Sequence, residues 1–272
     1  VYEAESDFSE AAFVVDEILE QIANGISRSE IAVLYRANAQ SRLIEHALFN
    51  AGIPYRVYGG LRFFERAEIK HALAYLRLID NPHDDTSFMR VVNFPARGIG
   101  SRTLEQLQDV ARMNNSSLFT AVSSMTGTAA AKLTAFNRMI EGMRFDTQHL
   151  TLPELVDHVI VHSGLIAHYK AEKEGADRVD NLNELVTAAA AFTQIEGYTV
   201  DISANTSNED NSILTPLAGF LSHAALEAGD NQAQAGQDAV QLMTVHAAKG
   251  LEFHSVFILG LEEGLFPHEN SL

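Results

Sequence analysis

Thr244-Val245-His246-Ala247-Ala248-Lys249-Gly250-Leu251-Glu252-Phe253 is the stretch in which side chains capable of chemistry are most concentrated. It lies between two strand-like runs, Val240 to Thr244 and Ser255 to Leu259. Ligands of parallel sheets gather at the carboxyl ends of strands. A loop there offers backbone N–H groups at Ala248 to Gly250, a cation at Lys249 and a carboxylate at Glu252. N–H groups beside a small residue suit a phosphate, and a carboxylate suits a ribose hydroxyl. An ordinary polar inter-strand loop would have the same composition. The order Lys249 then Gly250 is not that of a Walker A loop, which needs glycines ahead of the Lys and a hydroxyl after it. No other segment matches that pattern, and no strand ending in an acidic pair offers a magnesium site. By itself the chain does not encode a P-loop NTPase site.

A second constellation is Pro95-Ala96-Arg97-Gly98-Ile99-Gly100-Ser101-Arg102-Thr103. Two glycines flank Ile99, and a helix is predicted to begin near Thr103. Glycines allow close backbone approach, and N–H groups at a helix start favour an anion. Arg97 and Arg102 add charge. Such a site would position duplex DNA without reading bases; a plain turn before a helix has the same spacing. His158 and His162, four apart, could face one metal ion, but no third ligand is near and the pattern favours no metal site. Phe63 and Phe64 read as core before they read as base-stacking platforms.

The elements that must position these groups fall into three stretches. Asp7-Phe8-Ser9-Glu10 resembles a capping box ahead of a helix with Ala11, Val14, Val15, Ile18 and Ile22 on one face and Gly25 at its C-terminal cap. Ile31 to Tyr35 reads as a buried strand, Ser41 to Asn50 as a helix and Tyr55 to Tyr58 as a strand. Strand, helix, strand with short joints makes a βαβ unit and a parallel sheet. A helix follows from about Ala67 to Ile79. From Asn81-Pro82-His83-Asp84-Asp85 to about Gly236 strand signals are scarce. Helical spacing recurs at Leu104, Leu107, Val110 and Ala111, at Leu155 to Ile160, at Leu182 to Ala189, and over Leu217 to Ala228. Glu196 to Asn211 is polar and acidic and reads as a mobile loop, and Asp230 to Gln237 as a joint. Strand patterns then return. The fold class expected is α/β: a parallel-sheet domain interrupted by a mostly α-helical inserted domain. Its polar crossings, near 81–86 and 230–238, would permit rigid-body swivelling. A single α+β domain is the simpler alternative.

Composition bounds the rest. The 272 residues are 46% hydrophobic, enough for two cores. No apolar run approaches the roughly 18 residues of a membrane span. Val1-Tyr2-Glu3-Ala4-Glu5 has no basic-then-apolar leader, so a cytoplasmic location is expected. Absence of cysteine excludes disulfides and thiolate metal sites. The net charge of −17 argues against nucleic acid. Yet 12 of the 19 Lys and Arg residues fall between Arg28 and Arg112, against nine Asp and Glu, and none occurs from Val179 to Ala248. That asymmetry fits a basic DNA track on an acidic body, or a solvated acidic surface.

Several long motifs together resemble one family. Val240 to His268, containing QLMTVHAAKGLEFHSVFILGLEEGLFPH, resembles motif V of the UvrD/Rep/PcrA superfamily 1 DNA helicases. Val33 to Glu45, VLYRANAQSRLIE, resembles their motif IVa. Gly59 to Tyr75, GGLRFFERAEIKHALAY, resembles the run that follows, and Phe220 to Gly229, FLSHAALEAG, is similar to the UvrD branch. The GIG run at Gly98-Ile99-Gly100 also favours the UvrD/PcrA side over Rep. The resemblance implies that residues 1–84 and 238–272 form an incomplete RecA-like domain, 2A, and 85–237 the helical insert, 2B. Domains 1A and 1B, with the P-loop and the magnesium-binding carboxylates, would lie outside the chain, as would the arginine finger of motif VI. Glu252 would meet the ATP ribose and Gly250 the γ-phosphate. Thr244 and His246 would face single-stranded DNA, and Arg62 the point where strands part. Gly98, Ile99, Gly100, Arg97 and Arg102 would contact duplex DNA. Arg36 and Arg42 could reach DNA or support motif IVa. Departures are His254, where Pro is common, and Ala247, where Ser is common.

The function implied is part of an ATP-dependent 3′-to-5′ helicase of nucleotide excision and mismatch repair. ATP and Mg2+ would serve the intact enzyme, with neither expected on this chain. Its partners would be single-stranded DNA, single-/double-strand junctions, domains 1A and 1B, and repair proteins, with no membrane. The chain alone is expected to be inactive. The competing class is a non-catalytic DNA- or protein-binding regulatory module. An independent enzyme with an unrelated pocket is disfavoured by the lack of a paired acid/base signature.

Overall fold

The structure, a computed structural model, describes residues 1–173, 175–195, 215–229 and 237–262. The acidic stretch 196–211, most of the joint at 230–237 and the end of the motif beyond 262 lie outside the described residues. The chain divides into two compact units, Val1–Arg66 with Ala224–Leu272, and Ala67–His223.

The first unit begins with α1 (Asp7–Ala23), whose Ala11, Val14, Val15 and Ile18 form the buried face that the spacing predicts. The cap lies one residue earlier than expected. Ser6 is extended and its Oγ accepts from Ser9 N, while Ser9 Oγ returns to the backbone of Ser6. Ser6 competes successfully because its short hydroxyl reaches the N3 amide directly. Glu10 is thereby released, and its carboxylate accepts from Gly260 N at 3.1 Å. At the other end Gly25 has φ 90°, the left-handed conformation that lets Ile26 N reach back to Gln21 O.

β1 (Ile31–Tyr35), α2 (Ser41–Asn50) and β2 (Tyr55–Val57) follow as expected. The sheet is parallel throughout. With β3 (Val240–Thr244) and β4 (Ser255–Ile258) its order is β2-β3-β1-β4. β3 therefore sits between the two strands of the early βαβ unit. In register, Leu34 faces Met243 on one side and Ile258 on the other. β1 is buried along its whole length because its two faces enter different cores. Ile31, Val33 and Tyr35 pack with α1, α2 and Leu242, whereas Ala32 and Leu34 pack with Met243, Val245, Ala247, Ala248 and Phe253. This double burial of a central parallel strand explains its unbroken apolar sequence.

The second unit is helical. It contains α3 (Ala67–Asp80), α4 (Asp85–Val91), α5 (Ser101–Asn114), α6 (Leu118–Ala121), α7 (Thr128–Asp146), α8 (Leu152–His162), α9 (Leu165–Lys170), α10 (Gly175–Ile195) and the first part of α11 (Pro216–Gly229). α3 is its centre, packed against α4, α7, α8 and α10. Its Ile69, Leu73, Leu76 and Ile79 are buried, each contributing about 1.5–3 kcal/mol. Termini are fixed locally: Asp84 Oδ1 accepts from Ser87 N, and Glu154 accepts from Thr151 N in a capping box. Helix α5 starts at Ser101, two residues before the expected start, because Gly100 in extended conformation serves as its N-cap. Helix α7 lies outside the helical runs named above, although its Leu133, Phe136, Ile140 and Met143 are buried at helical spacing. The molecule is thus a RecA-like parallel-sheet unit interrupted in sequence by a helical unit. Among the described residues no helix is long and apolar enough to cross a membrane.

Candidate nucleotide- and DNA-facing sites

The loop after β3 is placed by the sheet itself. Thr244 is the last residue of β3 and pairs with Tyr35 at the end of β1. Val245 N then donates to Tyr35 O at 2.9 Å, so the chain leaves at the carboxyl end of the two central strands. The loop closes on Thr244. Ala247 N and Ala248 N both donate to its carbonyl, at 2.9 and 3.1 Å, and its Oγ1 accepts from Ala247 N at 3.3 Å. Val245, Ala247, Ala248 and Phe253 are drawn under the sheet as partial cover for Ala32 and Leu34. The alternation leaves His246, Lys249, Gly250, Glu252 and His254 exposed.

Of the three N–H groups expected to face a ligand, that of Ala248 is used within the turn, and that of Lys249 reaches His246 O at 3.5 Å. Gly250 N meets no acceptor among the described residues. Gly250 has φ 82°. There is open space where a Cβ would be, so glycine is required here for backbone conformation and not for room. An open N–H, an ammonium and a carboxylate within four consecutive positions fit the edge of a nucleotide. They lack the glycine-rich cradle a triphosphate needs.

Arg62 is held inside the first unit. Its Nε donates to Glu65 at 3.1 Å, and its terminal nitrogens donate to the carbonyls of Glu227 and Ala228 at 3.3 and 2.6 Å. A guanidinium at the last carbonyls of α11 opposes the negative end of that helix. The 3-10 turn Phe63–Glu65 that follows is anchored from α2. Glu45, 3% exposed, accepts from Ser41 Oγ at 2.5 Å and Phe63 N at 3.0 Å, with Arg66 at 3.7 Å. Burial pushes its carboxyl above the usual range, against the pull of Ser41, Arg66 and the Phe63 amide. Phe63 and Phe64 are buried and meet edge to face, as core residues do. Arg42 is buried as well, whereas Arg36 is half-buried.

In the helical unit, the run around Ile99 forms a turn between α4 and α5. Ile99 is 3% exposed and points into the core. Arg97 turns inward: its guanidinium donates to Val91 O, Pro95 O, Tyr75 Oη and Ser163 O at 2.8–3.1 Å, and lies over the rings of Tyr75 and Phe136. Gly98 has φ 68°, Gly100 φ −82°, and both are exposed, as are Ser101 and Arg102. The N–H groups of Gly98, Gly100, Ser101 and Arg102 meet no acceptor among the described residues. Two further residues belong to this turn that the sequence reading does not connect with it. Asn93 Oδ1 accepts from Arg97 N and Ile99 N at 2.9 and 3.0 Å, and Lys132 Nζ donates to Gly98 O at 2.8 Å. Asn93 had a local signal, a turn-forming carboxamide shortly before glycines. Lys132 had none, being brought in from α7.

His158 and His162 stack ring on ring at 3.8 Å, and His162 Nδ1 lies 2.8 Å from His158 O on the same helix.

Known proteins are similar to this chain in sequence along its whole length. The model of the UvrD-like helicase C-terminal domain matches residues 1–272. DNA helicase II of Escherichia coli (strain K12) is 48% identical over 280 residues, covering 100% of this chain and 37% of that protein. DNA helicase II of Haemophilus influenzae is 46% identical over 275 residues, covering 98% of this chain and 36% of its own length. ATP-dependent DNA helicase PcrA of Bacillus subtilis is 38% identical over 281 residues, covering 100% of this chain and 36% of its own length. The chain thus spans little more than a third of the relatives it matches. With a family match along its whole length and a parallel sheet that presents the late loop at its carboxyl edge, the chain belongs to the UvrD-like helicase C-terminal domain family.

Proposed function

We propose that this chain supplies the nucleotide-closing and duplex-docking part of an ATP-dependent 3′-to-5′ DNA helicase of repair. The observation that carries this reading is the match to DNA helicase II along the whole chain. It is joined to a loop, Thr244 to Phe253, that exposes Lys249, Gly250 and Glu252 at the carboxyl edge of the sheet. Residues 1–84 and 238–272 act as domain 2A and 85–237 as domain 2B. A sheet unit interrupted by a helical unit supports a discontinuous arrangement of this kind, although the compact units part after Arg66 and His223, so that α3 goes with the helices. Glu252 meets the ribose and Gly250 N the γ-phosphate of ATP held with Mg2+ mainly by domains 1A and 1B of the intact enzyme. Hydrolysis there alternates open and closed states, and their different contacts with DNA drive translocation. Thr244 and His246 face single-stranded DNA, while Arg62, buried on Glu65 and the carbonyls of Glu227 and Ala228, shapes the turn near the strand junction and does not itself reach DNA. Duplex DNA is held by the backbone N–H groups of Gly98 and Gly100 and by Arg102, with Ile99 anchoring the turn in the core. Excision and mismatch repair proteins are partners, and the setting is cytoplasmic.

The chain alone carries no P-loop and is inactive. The test is an ATPase assay on the purified chain with single-stranded DNA: turnover should stay at background, and robust turnover refutes the reading. A second reading, a non-catalytic DNA-docking module, is favoured by the compactness of 67–223 and its exposed turn at Gly98–Gly100.

A further inference from the structure

Two cations at the turn between α4 and α5, Arg97 within it and Lys132 reaching it from α7, have positions that are the reverse of what their sequence neighbourhood suggests. Arg97 adjoins the glycines, yet the N–H groups of its two terminal nitrogens are directed at four oxygens inside the helical unit, and its plane lies over two aromatic rings. A guanidinium has five donors and no acceptor, so little is left to offer a ligand. Lys132, 34 positions beyond Gly98, is exposed and sets its ammonium on the Gly98 carbonyl. An ammonium has three donors, and that carbonyl takes one. A Cβ built on Gly98 would lie 2.7 Å from Lys132 Nζ. The ammonium thus lies where a side chain at position 98 would begin, and a Cβ there would displace the flexible end of Lys132, while the φ of 68° separately favours glycine.

Resting on the duplex-docking reading above, we propose that Lys132 is a direct contact to a duplex phosphate and that Arg97 is a positioning residue. With Arg102 and the outward N–H groups, Lys132 gives the turn a second mobile cation that can reach a phosphate oxygen. Arg97 and Asn93 hold the turn from behind. Arg97 fixes the carbonyls of residues 91 and 95, and Asn93 fixes the amides of residues 97 and 99. The loop is thereby preorganised, and the ordering entropy of binding is reduced.

The test is fluorescence anisotropy of a labelled 3′-tailed duplex titrated with the whole chain at several salt concentrations. Each variant is kept at a temperature where circular dichroism shows it folded. Lys132→Ala should leave the melting temperature unchanged and reduce the slope of log K against log salt by about 0.9, one phosphate neutralised. Lys132→Arg should restore the slope. Arg97→Lys should lower the melting temperature and weaken binding several-fold with the slope unchanged. Should Arg97→Lys fail to fold, Asn93→Ala, which releases the same turn without removing a charge, must show weakened binding at unchanged slope. An unchanged slope in Lys132→Ala overturns the contact. A slope reduced by about 0.9 in Arg97→Lys, with unchanged melting, overturns the positioning role. If the unaltered chain binds no duplex, the docking reading itself fails, and this proposal with it.

Discussion

Glu45→Ala is the substitution for which the structure makes the sharpest demand. Glu45 lies within α2, is 3% exposed and ties that helix to the turn carrying Arg62. Truncation leaves the buried amide of Phe63 without its acceptor, at about 1–3 kcal/mol. It also removes the carboxylate 3.7 Å from Arg66, whose side chain is 8% exposed. With the Ser41 hydroxyl also losing its acceptor and a void left in the buried site, the total is about 3–5 kcal/mol. With a urea slope of about 2–3 kcal/mol/M, the unfolding midpoint should fall by roughly 1–2 M. Glu45→Gln should lose much less. Burial already drives this carboxyl toward its neutral form, and the amide oxygen can still accept from Phe63 N. The measurement is urea unfolding at pH 7.5 followed by far-ultraviolet circular dichroism, since the chain has no Trp. A midpoint shift below about 0.3 M for Glu45→Ala would refute the reasoning, as would equal damage from the Gln variant.

Two further expectations concern the helical unit. Gly98 is left-handed, with φ 68°. Gly98→Ala should therefore destabilise the unit by about 1–2 kcal/mol, the cost of placing a Cβ in that conformation. Gly100 has φ −82°, and no atom lies within 4 Å of a Cβ built there. Gly100→Ala should accordingly be neutral or slightly stabilising; chemical denaturation of the pair checks both. His71, packed on Phe94 and 2.9 Å from Tyr169 Oη, is pushed down to about 4 by burial and by Arg90, His168 and Arg178. In the unfolded chain it titrates near 6.5, so between those values the unfolded state binds more protons and stability falls as pH falls. After allowance for partial solvent screening the loss is about 1–2 kcal/mol. His71→Gln should abolish that part of the acid sensitivity, read from denaturation midpoints at pH 7.5 and 4.5.

The sequence by itself determined the local elements. The apolar run Ile31 to Tyr35, the helical face of Ser41 to Asn50 and the strand Val240 to Thr244 each appear with the predicted boundaries, because a single period and a short-range cap decide them. It also located the loop that ends β3, since a polar, glycine-containing stretch between two buried strands has few alternatives. Which strands touch was beyond it. β3 enters between β1 and β2 from almost the other end of the chain, a pairing set by which faces need cover and not by any local spacing. The two glycines around Ile99 look equivalent in sequence, yet only Gly98 is left-handed and only it seats Lys132. Arg62, which the resemblance sends to the strand junction, and Arg97, whose charge the spacing adds to the glycine turn, are both turned by tertiary packing toward backbone carbonyls. Charge and spacing are sequence properties. Whether a charge is available depends on which acceptors the fold brings within hydrogen-bond distance, and only the tertiary structure decides that.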